Sequence, residues 1–162
     1  MSKNHQFRVA CIQMTTGTKI SENLSILETR FQEAKEKGAD FIVTPEQSLL
    51  MAENKASLFE NISYEDEDFG LRELRGIVKK VGLFVIVGSI SIKYNEDLAL
   101  NRTYAFNPDG DIIGVYDKIH MFDVTLSDGE KYHESKIYKP GKKLSLVSLP
   151  WCDVGLTICY DL

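Results

Sequence analysis

At 162 residues, 43% hydrophobic and 27% charged, the chain has the length and composition of one globular domain with a sizeable core. Its net charge of −5 argues against a broad phosphate-binding surface, so no nucleic acid partner is expected. No apolar run reaches the roughly 20 residues that cross a bilayer, so no membrane partner is expected either. Cys11, Cys152 and Cys159 form an odd set without CxxC spacing, which argues against a disulfide framework and points to reducing cytoplasm. His5, His120 and His133 do not pair with these cysteines at ligand spacing, so no metal site is expected.

The opening Met1-Ser2-Lys3-Asn4-His5-Gln6 leads straight into a strand-like segment, which predicts no signal peptide. Phe7 to Met14 reads as a buried strand, with Cys11 as core filler. Ser21 is placed to cap a helix whose Leu24, Leu27, Phe31 and Ala34 recur at steps of three and four, and Gly38 is its stop. Phe41 to Thr44 is a short strand ended by Pro45. A second helix fits Phe69 to Val81, with Leu71, Leu74, Ile77, Val78 and Val81 as its apolar set and Gly82 closing it.

Leu83 to Ile92 is the next strand. Ala99 to Phe106 and Ile112 to Tyr116 form a hairpin around Asn107-Pro108-Asp109-Gly110. Met121 to Lys143 is polar, with Asp128-Gly129 and Pro140-Gly141 as turn signals, and reads as a long functional loop. Leu144 to Leu149 and Val154 to Tyr160 are the last strands, a hairpin across Pro150-Trp151-Cys152-Asp153. Alternation of strand and helix, followed by strands, predicts an α/β layer design, with helices on one face of a sheet.

Glu46, Lys118 and Cys159 each stand where an apolar run ends, the place where open α/β sheets bind ligands. Glu134 sits in the polar loop. Singly, each has an ordinary structural reading. A cysteine is most often a small core hydrophobe, and a lone Glu or Lys after a strand is most often solvated.

Their flanks carry more information than the residues alone. Phe41-Ile42-Val43-Thr44-Pro45-Glu46, Tyr116-Asp117-Lys118-Ile119-His120 and Gly155-Leu156-Thr157-Ile158-Cys159-Tyr160-Asp161 resemble, in order, the three signature blocks of the nitrilase superfamily of carbon–nitrogen hydrolases. Asn107-Pro108-Asp109-Gly110, Glu134-Ser135-Lys136 and Tyr138-Lys139-Pro140-Gly141 match as well, and the resemblance runs from about Phe7 to the last residue. His120-Met121-Phe122-Asp123-Val124 is similar to the branch of omega-amidases and related amidases acting on small dicarboxylate-derived amides.

The resemblance implies a Glu–Lys–Cys triad of Glu46, Lys118 and Cys159, supported by Glu134. Amide hydrolysis needs a better nucleophile than water, and a free thiol is mostly protonated at neutral pH. Glu46 would take the Cys159 proton, and Lys118 would favour the thiolate and stabilise the oxyanion. The Tyr160 backbone N–H would be the second oxyanion donor. No cofactor is implied. The expected partners are a small-molecule amide and, in a complete enzyme, further copies of the chain in a dimer or larger homo-oligomer.

The implied fold class is α/β, the N-terminal portion of a four-layer α-β-β-α sandwich, with a mixed sheet and helices on one face. Residues 1–162 would be one carbon–nitrogen hydrolase domain, incomplete at its C-terminus, because family members continue into a second half similar to the first. Three accounts stand: a fragment of a longer enzyme, a truncated or split gene, or a shorter non-catalytic protein that binds a ligand or a partner chain.

Overall fold

The computed structural model describes residues 6–127 and 129–162. The expected lead-in over Met1 to His5, and Asp128 of the Asp128-Gly129 turn, lie outside the described residues.

Five strands form the main sheet: β1 (Val9–Cys11), β2 (Phe41–Val43), β3 (Phe84–Lys93), β4 (Ala99–Phe106) and β5 (Ile112–Asp117), side by side in that order. β1, β2 and β3 run parallel, and β3–β4 and β4–β5 are antiparallel, so the sheet is mixed. α1 (Ile20–Glu36) and α3 (Phe69–Val81) supply the crossovers expected between parallel strands. The expected hairpin is β4–β5, whose register is held beside the site by Arg102, which donates to both oxygens of its cross-strand partner Asp117 at 2.6 and 2.9 Å.

Alternation along the strands sorts side chains to two faces. Ile42, Val85, Val87, Tyr104 and Phe106 point toward α1 and α3, meeting Leu27, Phe31, Leu74 and Val78 in the larger core. Phe41, Ile86, Ala105 and Tyr116 point to the other face. There a second hairpin, β8 (Leu146–Ser148) and β9 (Asp153–Gly155), lays down Val147, Leu149, Leu156 and Ile158. The helices therefore do cover one face, and this hairpin covers part of the other.

The helix boundaries follow local chemistry. Asp68 caps α3 by accepting from the Leu71 N–H at 2.8 Å, and Gly82 closes it in the left-handed conformation at φ 69°. The apolar stripe read for α1 is buried as expected, but Ser21 is not its cap. The helix begins two residues earlier than such a cap would set, at Ile20 after Lys19, without a side-chain cap, and Ser21 lies in its first turn. The buried Asn23 does the ordering instead, exchanging hydrogen bonds with the Gly17 backbone and donating to the Leu49 carbonyl.

Four further differences from the sequence reading appear. The first strand shrinks to three residues with Cys11 exposed, because β1 is an outer strand of the sheet, paired only with β2. A short helix, α2 (Lys55–Asn61), forms on a reciprocal Asn54–Ser57 capping box. The polar stretch after Met121 is not a plain loop. It holds a small hairpin, β6 (Asp123–Thr125) and β7 (Lys131–His133), followed by a 3₁₀ turn at Glu134–Lys136. The last strand stops at Gly155, and Cys159–Asp161 is a 3₁₀ turn.

Candidate active site

Glu46 stands three residues beyond β2, on a loop pressed against β3. A Cβ at Gly88 would collide with the Thr44 carbonyl oxygen, so glycine is what permits the approach. The chain then turns sharply at Gln47, whose φ of 54° is left-handed. Polar contacts hold that turn: the Gln47 N–H donates to Ser89 Oγ at 2.9 Å, and its amide accepts from Ser91 Oγ at 2.7 Å and donates to Tyr138 Oη at 3.1 Å.

Lys118 follows β5, its N–H donating to the Asn101 carbonyl and its own carbonyl accepting from the Gly141 N–H. Its side chain is 2% exposed, and Nζ lies 3.0 Å from Glu46 Oε1 and 2.9 Å from Glu134 Oε2. Burial alone would lower its pKa. Hydrogen bonds to Glu134 and Glu46 outweigh that, and the net shift is upward, so the ammonium stays charged. Glu134 is delivered by the β6–β7 hairpin and steadied where its Oε2 accepts from the Phe122 N–H at 2.7 Å.

Asn101, on β4, was not singled out from the sequence. It is 1% exposed, and its Nδ2 donates to Glu46 Oε1 at 2.8 Å and to Glu134 Oε1 at 3.2 Å. Both amide protons thus reinforce the carboxylates that face Lys118. Its signal was a lone amide at a buried position of Ala99-Leu100-Asn101-Arg102-Thr103-Tyr104-Ala105-Phe106, where burial demands partners.

Cys159 approaches from the second hairpin. It has φ 47°, a conformation that costs a non-glycine residue on the order of 1–2 kcal/mol. Together with Glu46, Thr44, Gly88 and Thr103 it lines a cavity of about 250 Å³. A larger cleft of about 530 Å³, between Tyr94 and the 139–145 segment, contains none of the five expected site residues.

Partial desolvation at the cavity wall, then the negative charge of Glu46, push the Cys159 thiol up, although the residue as a whole is exposed. Lys118 and a hydrogen bond from the Tyr160 backbone N–H pull it down, but by less. The expected thiolate-favouring effect of Lys118 is therefore present and outweighed. The resting thiol holds its proton, and activation requires a base at the moment of attack. The Tyr160 ring packs edge-on against Phe122, with centroids 5.4 Å apart. Among the described residues no group of three or more His, Cys, Asp or Glu is arranged to hold a metal ion, and no helix is long and apolar enough to cross a membrane.

All five expected residues thus converge on one region. Glu46, Lys118 and Glu134 are in direct contact, Cys159 faces Glu46 across the cavity, and Tyr160 contributes its backbone.

Comparison with known proteins follows the same outline. The carbon-nitrogen hydrolase family model matches residues 8–162. The deaminated glutathione amidase of Yersinia enterocolitica is 33% identical over 95% of this chain and 54% of its own length. The omega-amidase NIT2 of Danio rerio is 31% identical over 97% of this chain and 56% of its own. The chain spans about half the length of the curated relatives it matches. Among solved structures, the C. elegans NitFhit protein superimposes with a TM-score of 0.83 at 23% identity, covering 96% of this chain and 38% of that one. An amidase from Nesterenkonia sp. AN1, in a variant carrying acrylamide added to its active-site cysteine, gives 0.82 at 20% identity, covering 96% and 58%. At these identities the structural likeness establishes a shared fold.

Proposed function

The chain belongs to the carbon–nitrogen hydrolase family, and on that premise we propose that Glu46, Lys118 and Cys159 carry a cysteine-nucleophile hydrolysis of a small amide. The observation that supports it most is the buried Lys118 ammonium clamped between Glu46 and Glu134, with Glu46 facing Cys159 across one small cavity.

In this reading, Cys159 Sγ attacks the amide carbonyl while Glu46 accepts the thiol proton. The negative charge that develops on the carbonyl oxygen is met by the Lys118 ammonium and the Tyr160 N–H. Glu46 returns the proton to the departing nitrogen, ammonia leaves, and a thioester remains on Cys159. Glu46 then takes a proton from water, which attacks the thioester and frees the acid and the thiol. Glu134 and Asn101 keep Lys118 and Glu46 aligned throughout.

The preferred substrate class is a monoamide of a short dicarboxylic acid, in line with the omega-amidase relatives. The cytoplasm as location and a homo-oligomeric state belong to the same proposal. The first is supported by free cysteines and the second by family resemblance.

The test is ammonia release from dicarboxylate monoamides, with nitriles and carbamoyl compounds as competitors, by the chain alone and with a co-expressed C-terminal half of a relative. Turnover should fall by about 10³-fold or more in Cys159→Ala and in Glu46→Gln. Mass spectrometry after acid quench should find the acyl group on Cys159. Normal turnover by Cys159→Ala, or none by the unsubstituted chain in either format, would overturn the reading.

A further inference from the structure

Asp161 lies two residues beyond Cys159, and none of the steps above uses it. Its side chain is 3% exposed, yet it carries a carboxylate surrounded by donors. Oδ2 accepts from Tyr116 Oη at 2.7 Å and from the Ile158 N–H at 3.0 Å. Oδ1 accepts from the His120 N–H at 2.9 Å and lies 2.9 Å from His120 Nδ1.

These donors come from two places. Tyr116, near the end of β5, and His120, just beyond it, bracket Lys118, and Ile158 immediately precedes Cys159. The carboxylate therefore ties the backbone that carries the nucleophile to the backbone that carries the ammonium. Cys159, between Ile158 and Asp161 in chain order, holds an unfavourable positive φ that must be imposed from outside. A buried carboxylate that receives only donors has no neutral substitute. An asparagine offers one acceptor atom, and in either orientation its NH₂ meets a backbone N–H.

We propose that Asp161 is a positioning residue that sets the placement of Cys159 by acting purely as a hydrogen-bond acceptor. The proposal rests on the reading of Cys159 as nucleophile.

Two readouts test it. In Asp161→Asn, kcat should fall by about tenfold to a hundredfold with KM nearly unchanged, the loss that corresponds to one or two hydrogen bonds to a charged group. Separately, acrylamide should add to Cys159 about tenfold more slowly at neutral pH, because the displaced thiol loses the adjacent base Glu46. The addition needs no amide turnover, so it judges Asp161 even if the amidase reading fails.

Tyr116→Phe removes the hydroxyl that donates to Asp161 and that also accepts from the Ile119 N–H. It should slow acrylamide addition by a few-fold in the unsubstituted background and have no further effect, or a restoring one, beside Asp161→Asn. If Asp161→Asn does not fold, Tyr116→Phe and His120→Ala carry the test, each with a few-fold slowing expected. Unchanged kcat and unchanged Cys159 addition in a folded Asp161→Asn, or in both companion variants, would overturn the proposal.

Discussion

The two halves of the candidate site are built in different ways. Glu46 and Lys118 stand at strand exits of the main sheet, are joined by Asn101 from its interior and Glu134 from the β6–β7 hairpin, and surround a lysine that is 2% exposed. Cys159 rides on a separate two-stranded hairpin, at a positive φ, and is itself exposed. The first half is held by charge and hydrogen bonds in a shielded setting. The second is held by apolar docking of Val147, Leu149, Leu156 and Ile158, and by Asp161. Substitutions in the first half should therefore act on stability and chemistry together, and those in the second mainly on where the thiol sits.

The sharpest way to break this contrast is Lys118→Met. It leaves Glu46 and Glu134 sharing a shielded site with no cation, and should cost about 3–5 kcal/mol of stability in addition to activity. Urea denaturation measures it, and a loss under about 1 kcal/mol would mean that the cluster contributes little to folding.

Gly114→Ala addresses the hairpin half. A Cβ there would collide with Val147 Cγ2, lifting β8 from the sheet, at about 1–3 kcal/mol. Cys159 should lose reactivity, while hydrogen-exchange protection of β3 and β4 stays near that of the unsubstituted protein. Equal loss of protection in both regions would merge the two halves into one cooperative unit.

Cys159→Gly should remove acyl transfer and raise stability by up to about 1 kcal/mol, since glycine adopts a positive φ without strain. A clear destabilisation would show that the thiol's packing outweighs its backbone strain.

The smallest effect is the pH dependence of stability. Burial raises the Asp161 carboxyl, but its bonds from Tyr116, His120 and Ile158 outweigh that and hold it below the ordinary 3.8. Its contribution is present above 3.8 and is lost as pH falls through the lowered value. Lys118 lies above the ordinary 10.5, so its contribution is full below 10.5 and is lost as pH rises through the raised value. For these two groups, urea midpoints should stay flat from about pH 5 to pH 9. A slope inside that window would have to come from other groups.

Much of this arrangement was legible in the chain. The spacing of Leu24, Leu27, Phe31 and Ala34 defined α1, the apolar set from Leu71 to Val81 with its closing Gly82 defined α3, and Asn107-Pro108-Asp109-Gly110 marked the β4–β5 turn. The three blocks around Glu46, Lys118 and Cys159 pointed to the family, because they pair particular residue types with particular strand exits.

Tertiary structure alone decided the rest. Asn101, between Leu100 and Arg102, looks like any strand residue until Glu46 and Glu134, 55 and 33 positions away, converge on its amide. The capping of α1, the shortness of β1 and the end of the last strand at Gly155 also depended on neighbours distant in sequence. Local periodicity and capping act over a few residues, so the sequence by itself determined α1, α3, the strands of the main sheet in outline and the residue types of the candidate site. Burial, the balance of charge on the Cys159 thiol and the four contacts of Asp161 depend on pairings across 30 residues or more, apart from the local bonds from Ile158 and Tyr160, and only the packed molecule brings those together.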